Sequence, residues 1–256
     1  MSNRLFVIPD VHGRDFWNKI LPTFSDLDQI VFLGDYLDPY FYEGIDFPKA
    51  LENFKRIIEF KKSKPDRVHL LVGNHDIHYI ESDYGCSRYN ATFSQEAEKL
   101  FRDSKDLFNL YLRYLDTEKD KTLLFTHAGV ADSWLENYPK MFKKGEIRSL
   151  DTVCTYLESM KDPSMYVESR LNDIGRMRGN YYTSGAGGPF WCDIRELMSS
   201  LPEWDQRVVQ IVGHTQMEKT GYTLPLRNKD GSVAAIGCDS RVVFEWKDDQ
   251  LKEYVV

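Results

Sequence analysis

Short apolar runs that end in a polar cluster recur along the chain. Leu5-Phe6-Val7-Ile8 opens into Asp10-Val11-His12-Gly13, Ile30-Val31-Phe32-Leu33 into Gly34-Asp35-Tyr36-Leu37-Asp38, and Val68 to Val72 into Gly73-Asn74-His75-Asp76. Leu123-Leu124-Phe125 leads to His127-Ala128-Gly129, and Val208 to Val212 to Gly213-His214-Thr215. Each run reads as a strand that delivers its polar residues to a C-terminal edge, where glycines let the backbone turn sharply. The first three motif ends lie about 25 and then about 39 residues apart, which is room for the dozen or more residues of a parallel crossover. Helices are expected in both gaps.

The clearer helix runs from Phe47 to Phe60, with Asp46 to cap it, Pro48 in its first turn, and Leu51, Phe54, Ile57 and Ile58 on one face. Ser94 to Leu115 reads as a longer one, because Leu100, Phe101, Leu107, Phe108, Tyr111 and Leu115 are apolar, and a strand follows at Thr122 to Thr126. Two further helices, Leu150 to Met160 and Ser164 to Ile174, precede a glycine-rich loop from Gly179 to Gly188. Residues of about 132–205 are read as a mostly helical cap over the strand ends. Short β segments close the chain at Tyr222 to Leu226, Val233 to Cys238, Val242 to Trp246 and Leu251 to Val256, separated by turn residues at Lys229-Asp230-Gly231 and Asp248-Asp249. They are expected to form a second, largely antiparallel sheet packed on the first. With 256 residues and no internal repeat, residues 1–256 are read as a single α/β domain.

Composition narrows the partners. The net charge of -7 offers no basic surplus to neutralise phosphates, so a duplex nucleic acid is not expected, while small phosphorylated molecules remain open. No run of apolar residues is long enough to span a bilayer, and the N-terminus enters a strand without a secretory pattern. The expectation is a cytoplasmic protein with no membrane partner. Cys86, Cys154, Cys192 and Cys238 lack CxxC spacing, which argues against a zinc ribbon or disulfide framework and for buried or idle thiols.

The chain holds 6 histidines, and His12, His75, His127 and His214 all sit in the strand-end motifs. His69 and His78 are read as hydrogen-bonded structural residues. Asp10 and His12, two apart in an extended segment, project to the same side and can share a metal. Asp35 could bridge two ions, and Asn74, His127 and His214 add an amide oxygen and two imidazoles. An N/O donor set without thiolate favours two divalent ions of the Mn²⁺, Fe or Zn²⁺ type. Two such ions can bridge and deprotonate a water near neutral pH, giving a hydroxide nucleophile.

The five motifs, in this order, resemble those of the calcineurin-like metallophosphoesterases, and the resemblance spans residues 5 to 215. It implies a four-layered α/β-β/α sandwich of two mixed sheets with a helical cap insertion, around a dinuclear metal site. By the same resemblance Asp10, His12 and Asp35 are ligands of one metal, and Asp35, Asn74, His127 and His214 of the other. His75 would be the general acid oriented by Asp38, and the metal-bridging hydroxide the nucleophile on a phosphate ester.

Gln216 stands where many members carry a second histidine two residues after the last ligand, which resembles the phosphoprotein-phosphatase branch and its diadenosine-tetraphosphate hydrolase relatives. Arg176-Met177-Arg178-Gly179 and Gly188-Pro189-Phe190-Trp191 are similar to the bacterial-type Ser/Thr phosphatases of that branch. The branch usually has an arginine directly after the Asp38 position to bind substrate phosphate, and here Pro39 occupies it. Arg178, with Arg176 in reserve, is the candidate to supply that cation from the cap, against a structural role in a pair with a carboxylate such as Asp173. Tyr36, Tyr40, Phe41, Tyr42, Tyr181, Tyr182, Phe190 and Trp191 either pack between cap and core or stack on a base or ring. The expected substrate is a phosphoprotein, a nucleotide or a small phosphoester. Hydrolysis of dinucleoside polyphosphates is the alternative activity, and a non-catalytic scaffold is the competing class.

Overall fold

A computed structural model describes residues 3–81, 86–136, 148–160, 162, 165–168, 170–183 and 185–255. Parts of the expected cap (137–147), of its second helix (164 and 169) and of the glycine-rich loop (184), together with residues 1–2 and 256, lie outside the described residues.

Two mixed sheets carry the chain. In the first, β1 (Leu5–Ile8), β2 (Gln29–Phe32), β3 (Val68–Leu71) and the short β4 (Phe108–Asn109) run parallel. In the second, β5 (Tyr111–Asp116), β6 (Lys121–Thr126), β7 (Val208–Val212), β8 (Leu224–Arg227) and β9 (Val233–Gly237) take the order β5-β6-β7-β9-β8. Its three inner strands are parallel and its two outer ones antiparallel. β10 (Phe244–Lys247) and β11 (Gln250–Glu253) return to the first sheet and pair antiparallel beside β1, which gives β11-β10-β1-β2-β3-β4.

Period-2 alternation sorts the side chains into layers. Leu5, Val7, Val31, Leu33 and Leu71 meet Leu123, Phe125, Val209, Ile211 and Ile236 between the sheets. The opposite faces carry Phe6, Ile8, Ile30 and Phe32, packed on α1 (Phe47–Ser63) and α3 (Ser94–Asp103) through Phe54, Ile57, Ala97 and Phe101. On the far side Leu124, Val208, Val212 and Ala235 pack on α4 (Asp132–Glu136), α5 (Leu150–Ser159) and α7 (Ile194–Ser199). The result is the four-layered α/β-β/α sandwich, with α2 (Asn74–Ile80) and α6 (Met165–Glu168) as short helices beside it. The helix from Phe47 forms as its sequence dictates, because the Asp46 carboxylate accepts the Lys49 N–H at 2.9 Å.

Three expectations are corrected. The helix beginning at Ser94 stops at Asp103, and the stretch to Leu115 becomes β4 and β5. Tyr111 packs on the helix-facing side of its sheet while Leu112 and Tyr114 pack between the sheets, so a strand period overrides the helical one, fixed by six-residue pairing with β6. The gap after β1 holds only a 3-10 turn, Phe16–Ile20, which buries Trp17 and Ile20. The C-terminal strands do not make a sheet of their own; β8 and β9 extend the second sheet and β10 and β11 the first. The expected helix to Ile174 is represented among the described residues by α6 and a 3-10 turn, Arg170–Asn172.

Phe54 is fully buried, stacks on Tyr36 at 4.7 Å and meets Phe101 at 4.8 Å. Phe54→Ala leaves a cavity between α1 and the first sheet and is expected to cost about 3–5 kcal/mol, read as a lower midpoint in urea unfolding.

Candidate active site

The ends of β1, β2, β3, β6 and β7 meet at the seam between the sheets. Three of their turns place non-glycine residues in the left-handed region: His12 at φ 43°, Asp35 at 53°, Asp38 at 57° and His214 at 60°. Such backbone costs roughly 1–2 kcal/mol per residue, and tight loop packing holds it in place. A Cβ on Gly73 would lie 2.2 Å from Asp35 Oδ1, and one on Gly213 2.2 Å from Asp10 Oδ1, so each glycine lets a carboxylate reach the next loop. Asp76 locks two of these loops together. Its Oδ2 accepts the N–H groups of Asp35 (2.8 Å) and Gly73 (2.7 Å), and its Oδ1 that of Tyr36 (3.0 Å).

The polar ends converge as acceptors. His127 Nδ1 donates to the Leu33 carbonyl at 2.8 Å and His12 Nδ1 to the Leu37 carbonyl at 2.9 Å, which leaves each Nε2 with its lone pair facing the site. His127 Nε2 then lies 2.9 Å from Asn74 Oδ1 and 3.2 Å from His214 Nδ1, and that nitrogen is itself 2.9 Å from Asn74 Oδ1. Asp35 Oδ2 stands between the two sides, 3.5 Å from His12 Nε2 and 3.7 Å from His127 Nε2. Oxygens of Asp10 and Asp35 and a nitrogen of His127 all fall within 4.8 Å of one another. Burial holds the His12 and His214 imidazoles well below their usual pKa and so keeps them neutral donors. It also pushes the Asp10 carboxyl up, while against the same burial His127, His75, His12 and His214 keep Asp35 down. Acceptors facing acceptors, with Asp239 Oδ1 and His214 Nε2 buried and unpartnered nearby, fit a cation; the donor set suits a divalent ion.

Beside this cluster the His75 ring puts Nδ1 2.8 Å from Asp38 Oδ2, and its backbone N–H donates to Asp35 Oδ1 at 2.9 Å. Asp38 is fully enclosed: Tyr79 donates to its Oδ1 at 2.6 Å, and His78 Nε2 lies 2.7 Å from its Oδ2. Burial opposes the charge on Asp38, but the contacts with His75 and His78 hold its carboxyl below the usual range. The half-buried Sγ of Cys86 lies 3.1 Å from His78 Nδ1 and 3.5 Å from His75 Nδ1.

Residues 4–223 match the family described as calcineurin-like phosphoesterase. The chain belongs to that family. Among its relatives a symmetrical bis(5'-nucleosyl)-tetraphosphatase from Klebsiella pneumoniae is 28% identical over 136 residues, 51% of this chain and 47% of that protein. The serine/threonine-protein phosphatase 6 catalytic subunit of Drosophila melanogaster is 30% identical over 169 residues, 59% of this chain and 45% of that one. The chain spans between 28% and 51% of the length of such curated relatives. A cold-active protein-tyrosine phosphatase from a psychrophilic Shewanella shares the fold, with a TM-score of 0.56 and 17% identity over 98% of this chain and 77% of that one. A protein serine/threonine phosphatase from Saccharomyces cerevisiae gives 0.52 and 15% over 99% and 81%.

In this calcineurin-like phosphoesterase Arg178 reaches the last strand end. Its Nη2 donates to Thr215 Oγ1 at 2.9 Å, and its Nε lies 3.0 Å from Asp193 Oδ2; Asp173 pairs instead with Arg170 at 2.7 Å. Arg176 is exposed, with no hydrogen bond to the site among the described residues. The aromatics divide: Tyr36 and Phe190 are core, while Phe41, Tyr42, Tyr181 and Tyr182 stand out in solvent. Two further side chains reach His75 that sequence reasoning passed over, Cys86 and Arg88, whose Nη2 is 2.9 Å from His75 Nε2. Both follow the motif in an aperiodic turn, so no pattern announced them.

Asp76→Ala leaves three buried N–H groups without an acceptor. At about 1–3 kcal/mol for a single such group, the expected loss of stability is at least ~3 kcal/mol, with Asp76→Asn milder because one oxygen remains; urea unfolding measures both.

Proposed function

We propose that the chain is a dinuclear-metal phosphoesterase that hydrolyses a phosphate ester in the manner of the phosphoprotein phosphatases. The carrying observation is the meeting of Asn74 Oδ1, His127 Nε2 and His214 Nδ1 at 2.9–3.2 Å, with Asp35 between them and His12. On this reading Asp10, His12 and Asp35 hold one ion, and Asp35, Asn74, His127 and His214 the other. Divalent ions of the Mn²⁺, Fe or Zn²⁺ type, Mn²⁺ in vitro, would activate water and take up charge on the phosphoryl oxygens there. Asp38 accepts the Nδ1 proton of His75, which turns Nε2 toward the leaving group for general acid catalysis. Arg178, with Arg176 behind it, would contact the substrate from a cap of about residues 132–205. Four cysteines without a disulfide partner suit a reducing, cytoplasmic setting.

A second reading, hydrolysis of dinucleoside polyphosphates, is favoured by the exposed rings of Phe41, Tyr42, Tyr181 and Tyr182, which could stack on nucleobases. Phosphopeptides, dinucleoside polyphosphates and a generic aryl phosphate, tried side by side with added Mn²⁺, separate the two. Elemental analysis after Mn²⁺ reconstitution should find two ions per chain, and Asp35→Asn should lose more metal than any other single ligand change. A stoichiometry near zero, with turnover indifferent to chelator, overturns the reading.

His75→Asn should keep both ions and lose roughly 10²–10⁴-fold in turnover on an alkyl phosphate, with a smaller deficit on a nitrophenyl phosphate whose leaving group needs no proton. An equal deficit on both substrates removes His75 from the acid role.

A further inference from the structure

We infer that Arg88, on the turn after α2, contacts the substrate's phosphoryl group and supplies the cation that Pro39 cannot; the inference rests on the phosphoesterase reading. The pocket is crowded with buried carboxylates, Asp10, Asp35, Asp76 and Asp239, so an arriving phosphate dianion needs positive charge beyond any metal. Four arginines stand around it, and three are already committed. Arg14 Nε lies 2.9 Å from Glu43, Arg178 Nε 3.0 Å from Asp193, and Arg241 Nε 3.5 Å from the same Glu43. Arg88 has no carboxylate partner among the described residues.

Its placement is specific. The guanidinium carbon sits 3.8 Å from the centroid of the Tyr40 ring, and that ring meets His12 edge-on at 5.0 Å, so a flat platform carries the charge beside the metal-donor cluster. Nη1 is buried with no hydrogen-bond partner among the described residues, while Nη2 is 2.9 Å from His75 Nε2. A guanidinium only donates, so Nε2 is the acceptor in this contact, and it is the nitrogen that must face the scissile ester. A phosphoryl group presented to His75 therefore enters the reach of Nη1 and Nη2. The planar fork suits two phosphoryl oxygens at once, and on binding them it would free Nε2 to take up the proton that His75 then passes to the leaving group. The backbone of Arg88 is itself left-handed, φ 68°.

Inorganic phosphate is the probe, titrated calorimetrically into Mn²⁺-loaded protein, with metal content and melting temperature checked for every variant. Arg88→Ala should weaken phosphate binding roughly tenfold to a hundredfold, as the loss of a charge-assisted hydrogen bond implies, at unchanged metal content, and Arg88→Lys should recover part of it. If Arg88→Ala lowers the melting temperature, Arg88→Lys and Arg88→Gln carry the comparison, with Lys expected to bind phosphate more tightly than Gln. Phosphate affinity equal to wild type in Arg88→Ala or Arg88→Gln overturns the assignment and leaves the phosphoesterase reading standing. Wild-type protein that neither binds phosphate nor hydrolyses any phosphoester overturns both.

Discussion

A single buried carboxylate decides whether the strand ends can meet. Asp76 collects the N–H groups of Gly73, Asp35 and Tyr36, three donors from the two loops that leave the paired strands β2 and β3. Burial and the neighbouring Asp35 push its carboxyl up, while those N–H groups pull it back toward the charged form. With the loops clamped, Asp35 keeps a left-handed backbone and its side chain lies between His12 and His127. The same clamp brings Asp35 Oδ1 onto the His75 N–H and so sets the reach of the imidazole. Backbone strain, donor geometry and the His75–Asp38 contact are thus one mechanical unit, which explains why glycine is required where the loops pass closest.

The strands that lead to this unit were legible because each is an unbroken apolar run ending in a polar cluster, and four of six histidines fell on those ends. That Asp10, His12, Asp35, Asn74, His127 and His214 come together could be read from order alone. The stretch from Lys105 to Leu115 could not: its apolar residues satisfy a helical and a strand period at once, and only pairing with β6 chooses between them. The C-terminal strands were recognisable as strands, yet which sheet each joins depends on edges left open far away in sequence. Arg88 and Cys86 were illegible for another reason. They sit in a turn with no periodicity, and their meaning lies in what they touch.

The electrostatics separate two regions that share a wall. On one side the imidazoles turn ring-nitrogen lone pairs toward the site, since the carbonyls of Leu33 and Leu37 take the two Nδ1 hydrogens. On the other, Asp38 is saturated by His75, His78 and Tyr79, so its charge is spent inside the protein and does not add to the repulsion of an anion. Arg88 bridges the regions, with one edge on His75 and its face on Tyr40. Arg178 stands on the far rim, its Nη2 anchored to the Thr215 hydroxyl next to His214.

The position of β1 has a consequence for biosynthesis. It lies inside the first sheet, with β2 on one flank and β10 on the other through Phe6↔Glu245 and Val7↔Phe244. While the chain is still leaving the ribosome, the flank meant for β10 stays bare until residues 244–247 have emerged, and the hydrogen bond from His214 N–H to Asp10, 204 residues apart, cannot close earlier than its own partner. A nascent chain therefore carries an apolar, unpaired strand edge from the emergence of β1 until residues 244–247 follow, the kind of edge that invites association with other chains. Closure of the β10–β11 hairpin onto β1 is then a protective step, because it covers that edge.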